Sequence, residues 1–146
     1  MIMFLKFIAM FAAALFAGAA LYINVAEHPA RMTLATQFAA AQWAPSYRRA
    51  TWVQAPLALL SLLAGLGSWW LGAGWGWAIA ALLIGAVIPF TLVIIMPTNR
   101  LLLAPGRDLS TPETRELLDH WAKLHAARTA LGIAATVLYL VLALES

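Results

Sequence analysis

Residues 51–96 read TWVQAPLALLSLLAGLGSWWL (51–71), GAG (72–74) and WGWAIAALLIGAVIPFTLVIIM (75–96). Each flank supplies about the 20 apolar residues that a helix needs to cross a hydrocarbon core of about 30 Å. Backbone polar groups at that depth must be paired within the segment, so both flanks read as helices. The linker Gly72-Ala73-Gly74 leaves room only for a tight turn, and the two helices form an antiparallel hairpin. Outward from this hairpin lie two more apolar stretches of similar length. One covers about residues 2–26 and is broken only by Lys6; the other covers about 124–144 and is interrupted by His125 and Arg128. Period-2 alternation is absent, which excludes a barrel. The expectation is an all-α, integral membrane antiparallel four-helix bundle. It forms a single domain over 1–146, with partly helical linkers at 27–50 and 97–123.

Composition agrees. The chain has 146 residues, of which 64% are hydrophobic and 10% charged, where soluble domains run near a quarter charged. A soluble fold of this size lacks the interior to hide so much apolar surface, and a disordered tail would be far more polar. Cysteine is absent, which excludes disulfides, a thiolate nucleophile, an iron–sulfur cluster and a zinc finger. The net charge of +3 reads as loop charge facing anionic lipid, and nucleic acid is not an expected partner. In the first stretch, Lys6 and Ala17-Gly18-Ala19 imitate a signal peptide. The apolar run up to Val25 is long for one, so a retained helix is expected.

The linkers carry the start and stop signals. In 27–50, Met32, Phe38 and Trp43 offer apolar contacts, and Pro45 is expected to end a helical piece. In 97–123, Pro105-Gly106 marks a turn. Thr111-Pro112-Glu113 then reads as a cap, a first-turn proline and an acid matched to the helix dipole. A helix from there runs unbroken into the fourth span. Arg31, Arg48 and Arg49 lie in one long linker and Arg100, Arg107, Arg115 and Lys123 in the other, while the 72–74 turn has no basic residue. The positive-inside rule therefore places both long linkers in the cytoplasm and both termini outside an inner cell membrane.

Polar residues gather at the linker end of the bundle. The first helix presents Asn24, Glu27, His28 and Arg31 at helical spacing. The second carries a small and polar stripe of Gln54, Ala58, Ser61, Gly65 and Ser68. The third ends in Thr91 and then Asn99, and the fourth aligns Trp121, His125, Arg128, Gly132 and Tyr139. Arg128 sits about 9 Å and His125 about 13 Å from the middle of the span. A charge at such depth normally faces the bundle interior and has a partner, and Glu27 is the partner expected for Arg128. His125 is expected at the centre of any chemistry and is the one histidine expected within the hydrocarbon boundary. His120 reads as a surface residue, and His28 as either a ligand or an interface histidine. No H-E-x-x-H, C-x-x-C-H, G-x-S-x-G or G-x-G-x-x-G spacing occurs. Of the seven tryptophans, Trp69, Trp70, Trp75 and Trp77 read as an outer aromatic belt and Trp43 and Trp52 as an inner one. Trp121, one turn before His125, is the exception and walls a pocket.

Several segments together resemble the anthrone-oxygenase-like family of small four-helix membrane proteins. They are Tyr22 to Arg31, Gln54-x-Pro56, Pro89-Phe90-Thr91, Pro97-Thr98-Asn99-Arg100-Leu101, and His120-Trp121-x2-Leu124-His125-x2-Arg128. The resemblance runs over nearly the whole chain. Named members of that family oxidise anthrones to anthraquinones with molecular oxygen, so it implies an oxygenase acting on a lipophilic aromatic or quinol-like substrate. On that reading His125 is the base, with Glu27 orienting it or serving instead. Arg128 and Asn99 stabilise the developing oxyanion. Trp121, Tyr22 and Gln54 belong to the substrate or cofactor wall. A metal version has His125, His28 and Glu27 as ligands to copper, iron or zinc, and a haem version has His125 as axial ligand; a cofactor-free reaction stands beside both. A non-catalytic binder of haem, metal or quinone, or a structural accessory subunit, is the alternative class. The bilayer and a lipophilic aromatic ligand are the expected partners, and a homo-oligomer stays open.

Overall fold

The computed structural model describes residues 1–145. The described residues are almost entirely helical, with four helices long and apolar enough to cross a membrane: Ile2–Arg31, Thr36–Ala73, Trp75–Leu102 and Pro112–Leu144. The chain is an all-α integral membrane bundle. Locally the first span comprises α1 (Ile2–Tyr22), a π-helical turn at Ile23–Glu27 and α2 (His28–Arg31). The second is α3 (Thr36–Ser68) followed by a wide turn at Trp69–Ala73. The third divides into α4 (Trp75–Gly85), α5 (Val87–Phe90), a π-helical turn at Thr91–Ile95 and α6 (Met96–Leu102). The fourth is the single helix α7 (Pro112–Leu144).

The hairpin turn is built as its glycines require. Gly72 and Gly74 take φ of +93° and +95°, conformations open to residues without a Cβ. At α7, Thr111 is the N-cap; its hydroxyl accepts from the Thr114 amide at 3.2 Å, with Pro112 and Glu113 in the first turn. In the preceding loop the amide and hydroxyl of Ser110 donate to Asp108 and hold its carboxyl below the usual carboxylate range.

The helices run well past the apolar stretches that announce them, because hydropathy marks where a helix leaves lipid and not where it ends. Pro45 does not end a helix; it lies inside α3, as does Pro56. The extended ends pack on one another outside the apolar zone around Trp43, Leu102, Leu118 and Trp121, with Met32 against them. Phe38, expected among these contacts, is 59% exposed.

Within the apolar zone the packed faces are made of small residues. Ala9, Ala13, Ala20, Ala58, Ala64, Ala80, Ala81 and Ala135 are all buried. Lipid supplies no hydrophobic drive between helices, so close approach and dispersion hold them, and small side chains permit that approach. The bulky Phe7, Phe11, Leu63, Leu82 and Val137 point outward. The small and polar stripe predicted on the second helix is buried at all five positions. Ser61 donates to the Ala9 carbonyl at 2.8 Å, and the Tyr139 hydroxyl donates to the Ser61 carbonyl at 3.3 Å.

Two tryptophans placed in the belts are interior. Trp77 is 1% exposed and packs on Tyr139, and Trp43 is 1% exposed against Trp121. Their distance in sequence from the apolar boundary suits an interfacial ring, but helical phase turns both inward. Trp52, Trp70 and Trp75 are outward as expected.

A Cβ at Gly65 would lie 2.0 Å from the Tyr139 hydroxyl and 2.8 Å from the Ala81 Cβ. Gly65→Ala is therefore expected to destabilise the bundle by about 1–3 kcal/mol, read as a lower thermal midpoint in detergent. Gly18→Ala, where a Cβ meets nothing within 4 Å, is expected to leave the midpoint in place.

Candidate functional site

Two prolines shape the linker end. Proline has no N–H, so the carbonyl four residues back loses its helical partner. The π-helical turn at Ile23–Glu27 ends two residues before Pro29, and that at Thr91–Ile95 ends two before Pro97. Such widened turns absorb the lost bond and re-aim the side chains that follow. Between them lies a cavity of about 150 Å³ whose wall includes Ile23, Thr91, Asn99, Trp121, His125 and Arg128.

His125 is 3% exposed and its orientation is fixed from the first span. Asn24 Nδ2 donates to the Ala122 carbonyl at 3.3 Å, so its oxygen faces the imidazole. That oxygen lies 2.9 Å from His125 Nδ1 and accepts from the Thr129 hydroxyl at 2.6 Å. Nδ1 therefore carries the proton of the neutral ring, and Nε2 keeps its lone pair. The ring stacks on Trp121 at 4.8 Å between centroids, and Trp121 meets the edge of Trp43 at 5.7 Å. The predicted stripe of α7 is thus realised, with Trp121 as the wall.

Arg128 and Glu27 do not pair. Asn24 bonds across to His125, and a Cβ at Gly132 would lie 2.7 Å from the Phe16 ring. This register puts Glu27 level with Ala122, about 9 Å along the axis from Arg128. Glu27 instead accepts from Arg31 one turn on in its own helix, and from the Ser46 hydroxyl. An i,i+4 pair closes without bringing two helices into register. Arg128 Nη1 donates to Gln54 Oε1 at 2.8 Å, and its guanidinium lies 4.9 Å from the Phe16 ring centroid. Among the described residues no carboxylate lies within ion-pair distance of Arg128, so the site keeps an unbalanced positive charge.

His28, like His125, is buried within the protein; the same register sets it level with Trp121, about one turn nearer the linkers. Its Nδ1 accepts from Arg31 Nη1 at 3.2 Å, since a guanidinium only donates. With His28 Nδ1 and Glu27 both engaged by Arg31, the proposed trio of His125, His28 and Glu27 does not converge. No group of three His, Cys, Asp or Glu side chains placed to hold a metal occurs among the described residues. Tyr22, proposed as a substrate wall, is 61% exposed; it lines a second, more open groove with Glu27 and Gln54 and not this cavity.

The cavity gathers polar atoms with nothing to bind. Asn99 is fully buried, and neither its amide oxygen nor its nitrogen has a partner; Trp43 Nε1 and Arg128 Nε are likewise buried and unpaired. Each such group costs about 1–3 kcal/mol when left unsatisfied. Four such atoms on three residues lining one cavity point to a polar occupant. Sequence reading found Asn99 and Arg128 but passed over Asn24 and Thr129 as the residues that orient His125, and Trp43 as a donor. The signal for Asn24 was its place on the His28 and Arg31 face; for Trp43 there was only helical phase.

A small all-α membrane protein with a buried polar cavity at one end of its bundle is thus defined. The sequence profile described as anthrone oxygenase matches residues 43–138, more than half of the chain, and the chain belongs to that family. The match takes in Trp43, Gln54, Asn99, Trp121, His125 and Arg128 but stops short of the Tyr22–Arg31 segment. No curated protein and no solved structure matches the chain.

Proposed function

We propose that the protein is a membrane-embedded oxygenase-type oxidoreductase acting on a flat lipophilic aromatic substrate with an acidified methylene, as in an anthrone. His125 Nε2 takes a proton from the methylene. The electron pair delocalises onto the ring-ketone oxygen, where Arg128, Asn99 and Trp43 supply donors. The electron-rich anion reduces molecular oxygen. Overall the methylene and one O2 become a ketone and one water, with the two methylene hydrogens leaving in the water. No step requires a metal ligand set. The observation that carries this reading is the placement of His125, its Nδ1 held against the Asn24 oxygen, in the wall of a cavity that Asn99, Arg128 and Trp43 also line with unpaired polar atoms.

The test is oxygen uptake on adding anthrone to the protein in liposomes, with quinone formed in equal amount. Uptake above that of protein-free liposomes is expected. Equal rates with and without protein refute the reading.

We further propose the orientation that the basic residues imply, with both long linkers in the cytoplasm of an inner-membrane protein. A periplasmic reporter fused after Ser146 is expected to be active and a cytoplasmic one silent. The reverse pattern overturns the orientation.

A further inference from the structure

We infer that the ligand reaches this cavity sideways from the bilayer, through a gap between the second and third spans whose rim includes Ala55 and Leu92. This rests on the cavity being a ligand site and deepens that reading by naming the route and the shape of what binds.

The gap has a cause in the sequence. The third span packs along α3 through α4, but beyond Ala86 it hardly touches α3. Pro89 and Pro97 each remove a helical bond there, and the span bends at Ala86 and widens at Thr91–Ile95. The cavity wall on the α3 side includes Thr51 and Ala55, and on the third-span side Ile88 and Leu92; Thr51, Ala55 and Leu92 are all exposed.

Depth decides what that exposure faces. Ala55 lies about 26 Å along its helix from the Gly72 turn, and Leu92 about 27 Å from Gly74. Both fall within a hydrocarbon core of about 30 Å. Toward the linker end aromatic rings line the cavity. Trp43 stacks on Tyr47 at 5.1 Å and abuts Trp121, and the Arg31, Glu27 and Ser46 cluster lies beside them. Aromatic rings therefore stand between the cavity and the linkers, while the rim at Ala55 and Leu92 is exposed at the depth of lipid.

The cavity's size then sets the ligand. About 150 Å³ encloses one aromatic ring. In a linear fused-ring ketone one terminal ring fills the cavity, the ketone-bearing central ring lies alongside Asn99, Arg128 and His125, and the other terminal ring lies in the gap between Ala55 and Leu92. The class is a fused-ring aromatic ketone or phenol already dissolved in the membrane.

The experiment compares anthrone with phenol, binding to the protein in nanodiscs by calorimetry against empty discs. Oxygen is excluded, so the result does not depend on turnover. Ala55→Trp is expected to weaken anthrone binding roughly tenfold and to leave phenol unchanged, while Leu63→Trp, on the lipid face away from the cavity, alters neither. A variant that weakens both ligands alike, or neither, overturns the route. Because the chain has no cysteine, a second arm places one at a time. Bound anthrone is expected to shield Ala55→Cys, but not Leu63→Cys, from N-ethylmaleimide. Equal labelling of the two with anthrone present also overturns it. Anthrone binding with shielding but without oxygen uptake keeps the route and refutes the oxygenase reading.

Discussion

His125→Ala is expected to lower anthrone turnover by about 10²–10⁴-fold, the usual contribution of a positioned general base, while the bundle stays folded. The fold is expected to survive because Asn24 keeps its bonds to the Thr129 hydroxyl and the Ala122 carbonyl. His125→Gln is expected to be as slow, since an amide can meet Asn24 but cannot accept and hold the proton that Nε2 takes. His120→Ala, at an exposed position, is expected to retain full turnover. Oxygen uptake and thermal unfolding measured together decide the matter. Equal activity of the His120 and His125 variants would remove the base from helix α7 and leave a structural role for the polar cluster.

Arg128→Met is expected to separate stability from turnover. No carboxylate faces this guanidinium, so its loss strands no opposite charge in the membrane. What it strands is Gln54 Oε1, at about 1–3 kcal/mol, and the methionine stem still covers Phe16. Turnover is expected to fall by about 10²–10³-fold, the effect of removing one oxyanion donor. Arg128→Lys is expected to lie between, since it keeps the charge but loses the planar fork. Unfolding midpoints in detergent and initial rates of oxygen uptake give the two axes. A variant that unfolds easily yet turns over normally would make Arg128 a packing residue.

Which residues face inward was legible in the sequence; which of them meet was not. In the α7 stripe Trp121, His125, Gly132 and Tyr139 are buried and Arg128 is half-buried, and the α3 stripe from Gln54 to Ser68 is buried as helical phase predicts. The hairpin and the Thr111 cap were equally plain, because glycine and a capping hydroxyl act within a few residues. Glu27 and Arg128 were matched wrongly because pairing two helices needs their relative register, and no local signal carries it. The same gap hid the contact of Asn24 with His125. The π-helical turns were invisible as well, although Pro29 and Pro97 mark where they fall. Trp43 and Trp77 were misplaced because tryptophan suits an interface and an interior equally, and only the neighbouring helix decides.

The cross-links are unevenly shared. Ser61 and Tyr139 tie the first, second and fourth spans together, as do Asn24 with His125 and Arg128 with Gln54. Arg115 adds a fork onto the Met32 and Leu34 carbonyls at the corner between the first two spans. Among the described residues no side-chain hydrogen bond joins the third span to another; the Thr91 hydroxyl turns back to Val87 in its own helix. Mechanically the bundle is a braced tripod with a fourth leg held by close packing and by Lys6 of the first span, whose Nζ lies 5.1 Å over the Trp77 ring. Strain applied to the assembly, whether from bilayer thickness or from a bound molecule, is taken up by that leg first, and Asn99 travels with it.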